Sequence, residues 1–229
     1  MNQSIYDDQS RDSWVRVSTM PREVDRASSA YHPAWGIIMS GGCCGGDTGS
    51  KMLVTKNAED FEELPPMPYK SYWHCVAAID ENRIFVSGVG SGSLSSAKAN
   101  EKALMFHKSR GQWESLPNMP TPRWSMGCGV VRDGKGGVEV VVVGGYVAPG
   151  RERTDVVEIF NVNEERWRTG SPIAITNAFC VTISPLQPNT PFRLQSTPRP
   201  SHSTEIPFIW WADGLQIPIL MQTSSEEAG

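Results

Sequence analysis

The chain has 229 residues, a formal net charge of −4 and 39% hydrophobic residues, a composition typical of one or two globular domains and not of a disordered chain. Its Lys and Arg residues are scattered, which argues against nucleic acid as a partner because phosphate binding needs clustered cations. No stretch approaches the ~20 apolar residues of a membrane-spanning helix, and the polar start of the chain does not resemble a signal peptide.

The first repeat begins at Trp14, where alternating apolar and polar side chains lead into a Met-Pro pair. This pattern is typical of a half-buried strand followed by a loop. An apolar stretch then ends at Gly41-Gly42, and another precedes the next leading aromatic. The pattern predicts a unit of short strands over residues 14–60.

The second repeat keeps this order. It begins at Phe61, continues into a Met-Pro loop, and has its glycines at Gly88 and Gly90 with Val between them. The interrupted glycine pair softens the pattern without changing its period. We predict a second unit over residues 61–112, which ends where Trp113 opens the third repeat.

The third repeat, predicted over residues 113–166, shows its strands most clearly. Residues 138–143 read Val-Glu-Val-Val-Val-Val, and such a β-branched run predicts a strand covered on both faces. Gly144-Gly145 end this strand, and a fourth repeat opens at Trp167.

The leading aromatics are 47, 52 and 54 residues apart, and periods near 50 residues are typical of propellers, solenoids and arrays. The repeated aromatics are predicted to pack between sheets. The repeated glycines are predicted to end strands at crowded positions that need a residue without Cβ or with positive φ. These structural repeat residues are Trp14, Gly41, Gly42, Phe61, Gly88, Gly90, Trp113, Gly144, Gly145 and Trp167.

The repeat pattern decays near the end of the chain. We predict a repeat-containing domain over residues 1–184 and a divergent tail over residues 185–229, where seven prolines arrive without a complete repeat between them. Two alternatives remain open for this tail. It is disordered, or it is a frameshifted repeat, because residues 208–213 stand about where a strand ending in glycine would follow.

Three of the five cysteines, Cys75, Cys128 and Cys180, follow the proline of their loops by seven or eight residues. We interpret them as small buried residues of equivalent strands. A disulfide is the alternative, but equivalent strands of different sheets are not expected at bonding distance. We therefore expect a reducing compartment and a cytoplasmic location, or an extracellular one if the native N-terminus lies upstream.

The repeat resembles the kelch motif, in which a diglycine closes the second strand, an aromatic lies in the third and a tryptophan opens the fourth. In the third repeat these residues are Gly144-Gly145, Phe160 and Trp167. In the first repeat Val54 stands for the aromatic of the third strand.

The resemblance covers about residues 4–173 and implies an all-β fold of kelch-type β-propeller blades. Each blade is expected to be a four-stranded antiparallel sheet, with about three complete blades and partial ones beside them. Because propellers close with about four to eight blades, we expect a segment of a larger propeller. Its open sheet faces would be association surfaces.

The resemblance also implies a non-catalytic protein–protein interaction module, a scaffold or adaptor that presents loops on one propeller face to another protein. The expected contact loops precede the first strand and follow the glycines of each blade, and they contain residue types that are enriched at binding hot spots. The candidate contacts are Arg22, Arg26, Tyr72, Trp73, His74, Arg123, Trp124, Tyr146, Arg151 and Arg153.

A fragment of a kelch-like propeller enzyme, a copper oxidase or a sugar-modifying enzyme, is the alternative function. The histidines His32, His74, His107 and His202 have no ligand spacing between them, although a copper site would need His and Tyr ligands that converge. No nucleophile or phosphate-binding motif stands in a suitable context. We therefore expect no catalytic residues, no metal and no cofactor.

Overall fold

The computed structural model describes residues 3–8, 13–43, 49–88, 101–132, 136–147, 152–173, 182–183, 211–212 and 215–216. All regular elements within these ranges are strands, which confirms the all-β prediction. The chain falls into two compact units, Met1–Pro185 and Leu186–Gly229. The alternatives for the tail concern residues that lie mostly outside the described ranges.

The chain begins with a β-hairpin, which is followed by the first complete sheet. The hairpin pairs β1 (Gln3–Asp8) with β2 (Ser13–Thr19). The first sheet contains β3 (Ser28–His32), β4 (Gly36–Ser40), β5 (Met52–Thr55) and β6 (Glu62–Leu64). Its strands are antiparallel and lie side by side in chain order, because each is joined to the next by a loop that reverses the chain.

The second sheet repeats this arrangement. It contains β7 (Cys75–Ala78), β8 (Arg83–Ser87), β9 (Ala103–His107) and β10 (Gln112–Leu116). The order is again β7-β8-β9-β10 with antiparallel pairing throughout. Two four-stranded sheets of the same order therefore follow each other along the chain, as the repeat predicts.

The third sheet is accompanied by a small three-stranded sheet. The strands are β11 (Arg123–Trp124), β12 (Gly127–Arg132), β13 (Val138–Val143), β14 (Tyr146–Val147), β15 (Glu152–Arg153), β16 (Val157–Asn161) and β17 (Arg166–Thr169). The third sheet is β12-β13-β16-β17, and in the small sheet β14 pairs with both β11 and β15. A parallel strand, β18 (Thr182–Ile183), adds to the free side of β12. In the second unit β19 (Trp211–Ala212) pairs with β20 (Leu215–Gln216).

The sheets pack face to face in chain order. We call the side of a sheet that faces the next sheet along the chain its forward face, and the opposite side its backward face. Ile38 and Val54 on the forward face of the first sheet join one buried cluster with Ile84 and Phe106 on the backward face of the second. Alternate residues of each strand point to opposite faces, so a strand between two sheets is apolar along its whole length.

The second interface uses the same positions. Phe85 and Met105 of the second sheet share a buried cluster with Val140 and Phe160 of the third. The ring centroids of Phe85 and Phe160 are 5.5 Å apart. Four-stranded antiparallel sheets that pack in this order match kelch-type propeller blades, so the predicted fold class is confirmed.

The leading tryptophans pack at the outer side of these interfaces. Trp113 contacts Phe106 with ring centroids 5.2 Å apart, and its Nε1 donates to the carbonyl oxygen of Pro65 in the preceding loop at 3.0 Å. Trp167 repeats the arrangement, with its Nε1 2.8 Å from the carbonyl oxygen of Pro117. Phe61, the corresponding residue in the sequence, directly precedes β6 and has no indole N–H to donate. Trp14 lies in β2, and its side chain is outside the described part of the structure.

The repeated glycines lie where the loop entering the next sheet crosses a strand end. Gly41, Gly88 and Gly144 have φ values of +63°, +72° and +63°, a left-handed conformation that glycine adopts at little cost. A Cβ on Gly41 would collide with the backbone of Ser71, and one on Gly88 with the side chain of Met126. These glycines therefore let successive sheets approach closely, while Gly90 lies outside the described residues.

The first sheet departs by one residue from the register that the motif suggests. Phe106 pairs with Trp113, and Phe160 pairs with Trp167 in the same way. Val54 pairs instead with Glu62, the residue after the leading Phe61. The assignment of Val54 to the aromatic position is therefore wrong, because a one-residue shift turns a side chain to the other face. Thr55 takes that position.

Substitution of Trp113 tests the role of the leading aromatics. Trp113→Ala should lower the free energy of unfolding by about 3 kcal/mol, because it removes a large apolar contact between two sheets. Trp113→Phe keeps a ring, as Phe61 does naturally, and should lose only about 1 kcal/mol with the hydrogen bond to Pro65. Urea titration followed by fluorescence measures both values. Equal losses for the two variants would contradict the packing role.

Candidate functional site

Three non-glycine residues at equivalent positions share a left-handed backbone. Arg26, Trp73 and Ser125 each lie five residues after the proline of their Met-Pro loops, and their φ values are +58°, +55° and +53°. The Trp73 amide donates to the Arg26 carbonyl at 3.1 Å, and the Ser125 amide donates to the Trp73 carbonyl at 2.8 Å. These three residues, which we call the inner rim, connect the entries of the three innermost strands β3, β7 and β12.

The inner rim holds backbone strain. A non-glycine residue in this conformation costs about 1 to 3 kcal/mol, and such residues cluster at functional sites. The three strands that follow it lie against one another, since β7 contacts both β3 and β12. Of the candidate contacts, Arg26 and Trp73 belong to the inner rim. Ser125 was not predicted, although the constant spacing from the Met-Pro pair indicates it.

The side chains of Arg26 and Trp73 contact each other at the inner rim. The Arg26 guanidinium lies 5.0 Å from the centroid of the Trp73 ring. The same group pairs with Asp25 at 2.9 Å and donates to the Sγ of Cys43 at 2.9 Å. Tyr72 packs its ring edge-on to Trp73 at 5.3 Å, and burial raises the pKa of its hydroxyl. Arg26 and Trp73 remain partly exposed, and Tyr72 is buried.

The small three-stranded sheet brings three further candidates together. Trp124 pairs with Tyr146, and Tyr146 pairs with Arg153. The rings of Trp124 and Tyr146 stack with centroids 5.9 Å apart. Trp124 is buried, Tyr146 is partly exposed and Arg153 is exposed, so only the last two present surface to a partner. Arg151 lies outside the described residues.

Arg123 does not reach the surface, so the expectation of an exposed contact at this position is wrong. Its side chain is fully buried and forms an ion pair with Glu158 at 3.0 Å. Nη1 also donates to the Val156 carbonyl at 2.8 Å, and Thr121 donates to Glu158 at 2.7 Å. The sequence shows an Arg in a loop, and only the fold shows that a buried glutamate lies opposite it.

His74 is likewise buried, and it connects two sheets. Its Nε2 lies 2.7 Å from the Oγ of Ser40 at the end of β4, and its carbonyl accepts a hydrogen bond from Ser28. Burial lowers the pKa of the imidazole to about 3. Although serine and histidine make contact here, both are sealed in the core. His74 is therefore a structural residue, and the prediction of a surface contact is wrong.

Arg22 lies beside the first sheet rather than at the inner rim. Its Nη2 pairs with Glu63 of β6 at 2.6 Å. Glu63 also accepts a hydrogen bond from Lys51, and these two cations hold the pKa of the carboxyl below its ordinary value. The Arg22 side chain is one-quarter exposed. It keeps some surface for a partner, but it shares the Glu63 carboxylate with Lys51.

A disulfide joins Cys75 to Cys128, so the interpretation of these cysteines as unbonded is wrong. Their Cα atoms are 5.9 Å apart because the innermost strands converge. Cys75 pairs with Ser87, the residue before the glycine of its sheet, whereas Cys128 pairs with Val142, one residue farther from the glycine. This one-residue offset turns the two side chains toward each other. Cys180 lies outside the described residues.

In the described ranges, no group of three or more His, Cys, Asp or Glu side chains is placed to hold a metal ion. Over the same ranges, the structure contains no helix with the length and apolarity needed to span a membrane.

Trp35 is a buried residue that the sequence analysis did not single out. It follows β3 and packs against the second sheet, where its ring centroid is 6.3 Å from that of Phe106. Its Nε1 donates to the Asp80 carbonyl at 2.7 Å, and the Lys108 ammonium lies 4.4 Å from its ring. No other sheet has an aromatic at this position among the described residues, so the repeat gave no signal for it.

The buried ion pair predicts an asymmetric response to mutation. Arg123→Ala should lower the free energy of unfolding by about 3 to 5 kcal/mol, because it leaves Glu158 charged and buried. Adding Glu158→Leu should recover most of this loss, since Leu104 occupies the equivalent position in the second sheet. Denaturant titration of both single variants and the double variant measures the coupling. Additive losses would contradict the pairing.

Histidine burial predicts a pH dependence. The folded-state pKa of His74 lies near 3, below the ordinary 6.5, so the unfolded chain binds an extra proton at intermediate pH. This difference leaves stability unchanged above pH 6.5 and lowers it as the pH falls, by about 3 kcal/mol between pH 7 and pH 4. Wild type and His74→Gln should therefore differ in the slope of unfolding free energy against pH. Equal slopes for the two proteins would contradict the assignment of His74 as a buried, uncharged residue.

Comparisons with known proteins agree with this architecture. No family model matches the chain. An alignment of 126 positions that covers 50% of the chain is 24% identical to the human protein named Kelch repeat and BTB domain-containing protein 12, and it spans 19% of that protein. The solved structure titled "Structure of YjhT" superposes with a TM-score of 0.54 at 18% identity. The match covers 72% of this chain and 58% of that one. Together with the repeats and the sheet order, these likenesses support a fold of kelch-type β-propeller blades.

Proposed function

We propose that the chain is a non-catalytic protein-binding module, a scaffold or adaptor whose inner rim and neighbouring loops contact a segment of another protein. The observation that carries this proposal is the repeated left-handed residue at Arg26, Trp73 and Ser125. Three successive sheets accept the same backbone strain at the same end. Strain of this kind is retained where the surrounding structure enforces it, and it marks candidate binding sites.

The chemistry of the inner rim supports a peptide partner. Arg and Trp are the side chains most enriched at binding hot spots, where an aromatic anchor is surrounded by contacts that exclude water. Trp73 is held rigid between Arg26 and Tyr72, so little side-chain entropy would be lost when a partner packs on it. Tyr146 and Arg153 offer a second, partly exposed contact at the third sheet.

Two substitutions test the inner rim without disturbing its backbone. Trp73→Asn and Arg26→Asn remove the anchors, while asparagine tolerates positive φ better than most residues. Peptides are first selected from a displayed random library on the wild-type chain and then titrated against each variant by fluorescence polarisation. Each substitution should weaken binding by about 1 to 2 kcal/mol, a 5- to 30-fold change.

The matched control is Arg110→Ala. Arg110 lies in the turn between β9 and β10, at the opposite end of the second sheet, and pairs with Glu114 at 2.9 Å. Its removal should leave peptide affinity unchanged. Peptides that bind all three variants as tightly as the wild type would contradict the assignment of the site. So would a chain that selects no peptide at all.

The alternative, a kelch-like propeller enzyme, has its own test. Copper retained in stoichiometric amount after purification, together with oxidase turnover of an alcohol, would favour it over the binding module. Hydrolysis or modification of a sugar substrate would do the same.

We also propose the kind of cellular compartment in which the chain folds. Disulfides persist mainly in oxidising environments, so the Cys75–Cys128 bond weighs against the reducing, cytoplasmic location expected from the sequence. We favour an oxidising compartment for the folded chain. Titration of thiols in protein isolated from its native compartment under alkylating conditions would distinguish the two locations.

A further inference from the structure

The small three-stranded sheet beside the inner rim ends in an exposed strand. Its order is β11-β14-β15, so among the described strands β14 is paired on both sides and β15 on one side. Both residues of β15, Glu152 and Arg153, are exposed. An exposed edge strand is a template for pairing with another extended chain. The direction of its backbone groups decides whether β15 can act in this way.

The pairing register fixes the direction of the Arg153 backbone. In an antiparallel pair of strands, residues that exchange hydrogen bonds alternate with residues whose N–H and C=O groups point away from the partner strand. The Thr154 amide donates to the Gly145 carbonyl at 3.0 Å. The next pair, Tyr146 and Arg153, is therefore of the second kind. The N–H and C=O groups of Arg153 point to the free side of β15, and among the described residues no hydrogen bond reaches either group.

Two contacts hold this edge strand in place. Thr154, the residue that follows β15, is buried, and its Oγ1 accepts a hydrogen bond from the Val156 amide at 3.2 Å. On the other side of β15, the Tyr146 ring stacks on the buried Trp124 with ring centroids 5.9 Å apart. Because the strand is already extended and anchored, little conformational entropy is lost when a partner pairs with it.

We propose that an extended, acidic segment of another protein adds to β15 as a fourth strand of the small sheet. One residue of this segment exchanges two backbone hydrogen bonds with Arg153, the mode of recognition known as β-strand addition. Trp124, Tyr146 and Arg153 lie opposite one another, so their side chains form a row on one face of the sheet. The partner residue continues this row, and a carboxylate at that place complements the guanidinium of Arg153. This inference rests on the protein-binding role proposed above and adds the conformation and charge of the partner.

Two substitutions at one position of the full chain separate the backbone from the side chain. Arg153→Ala removes the charge and keeps the N–H group. Arg153→Pro removes both, and an edge strand tolerates proline where the N–H points to solvent. The tightest peptide selected from a displayed random library on the wild-type chain is titrated against each variant by fluorescence polarisation. Arg153→Ala should weaken binding about 3-fold through the lost charge pair, and Arg153→Pro about 15-fold through the additional loss of a backbone hydrogen bond.

A modified peptide tests the same hydrogen bonds in the unaltered protein. N-methylation at the peptide residue opposite Arg153 should weaken binding about 5-fold, because it removes one donor. N-methylation at either neighbouring residue should leave affinity unchanged, since those amides point away from the edge of the sheet. A scan of single N-methyl groups along the peptide locates the sensitive residue, and its result does not depend on the folding of a variant.

The matched control is Glu152→Ala. The Glu152 side chain points to the face opposite that of Arg153, so its removal should leave peptide affinity unchanged. Equal affinities of Arg153→Ala and Arg153→Pro would overturn the added strand, and so would an N-methyl scan without a sensitive residue. If Trp73→Asn still weakens binding in that case, the proposed binding function stands without the added strand. A wild-type chain that selects no peptide overturns both. If circular dichroism shows that Arg153→Pro loses strand content, the N-methyl scan alone decides.

Discussion

Packing of one sheet face against the next is the interaction on which this chain depends. Each of its four-stranded sheets is too thin to bury a core alone, and sheets of this kind become stable when both faces are covered. The buried clusters accordingly lie between sheets rather than within them. The leading aromatics, the Met-Pro loops and the β-branched strands are the sequence features that this arrangement requires.

Close approach at the inner ends of the sheets imposes a second constraint. Strands that converge leave no room for side chains where the next loop crosses, and glycine at Gly41 and Gly88 meets that need. Immediately beside these glycines, the chain re-enters the next sheet through a residue forced into the left-handed region. Crowding thus explains both the glycines that the sequence shows and the strained rim that it does not. At this rim the Trp73 ring packs edge-on against Tyr72 and lies beside the Arg26 guanidinium.

The repeat alone predicted most of the architecture, because each unit carries the same alternation, turn residues and glycines. What it could not predict depends on one-residue differences of register and on partners distant in sequence. Val54 and Thr55 exchange positions through such a shift, and Cys75 and Cys128 face each other for the same reason. The burial of Arg123 depends on Glu158, 35 residues away. A loop arginine looks identical in sequence whether it meets solvent or a buried carboxylate.

The Cys75–Cys128 bond has a mechanical consequence. It spans 53 residues and joins the innermost strands of two neighbouring sheets. A force applied to the two ends of the chain is transmitted through this covalent bridge, so the second sheet cannot be drawn out between the bonded residues. Roughly 180 Å of contour length is thereby withheld from extension. A tether that carries load through this chain would lengthen in two separate stages, and the redox state of its surroundings would decide whether the second occurs.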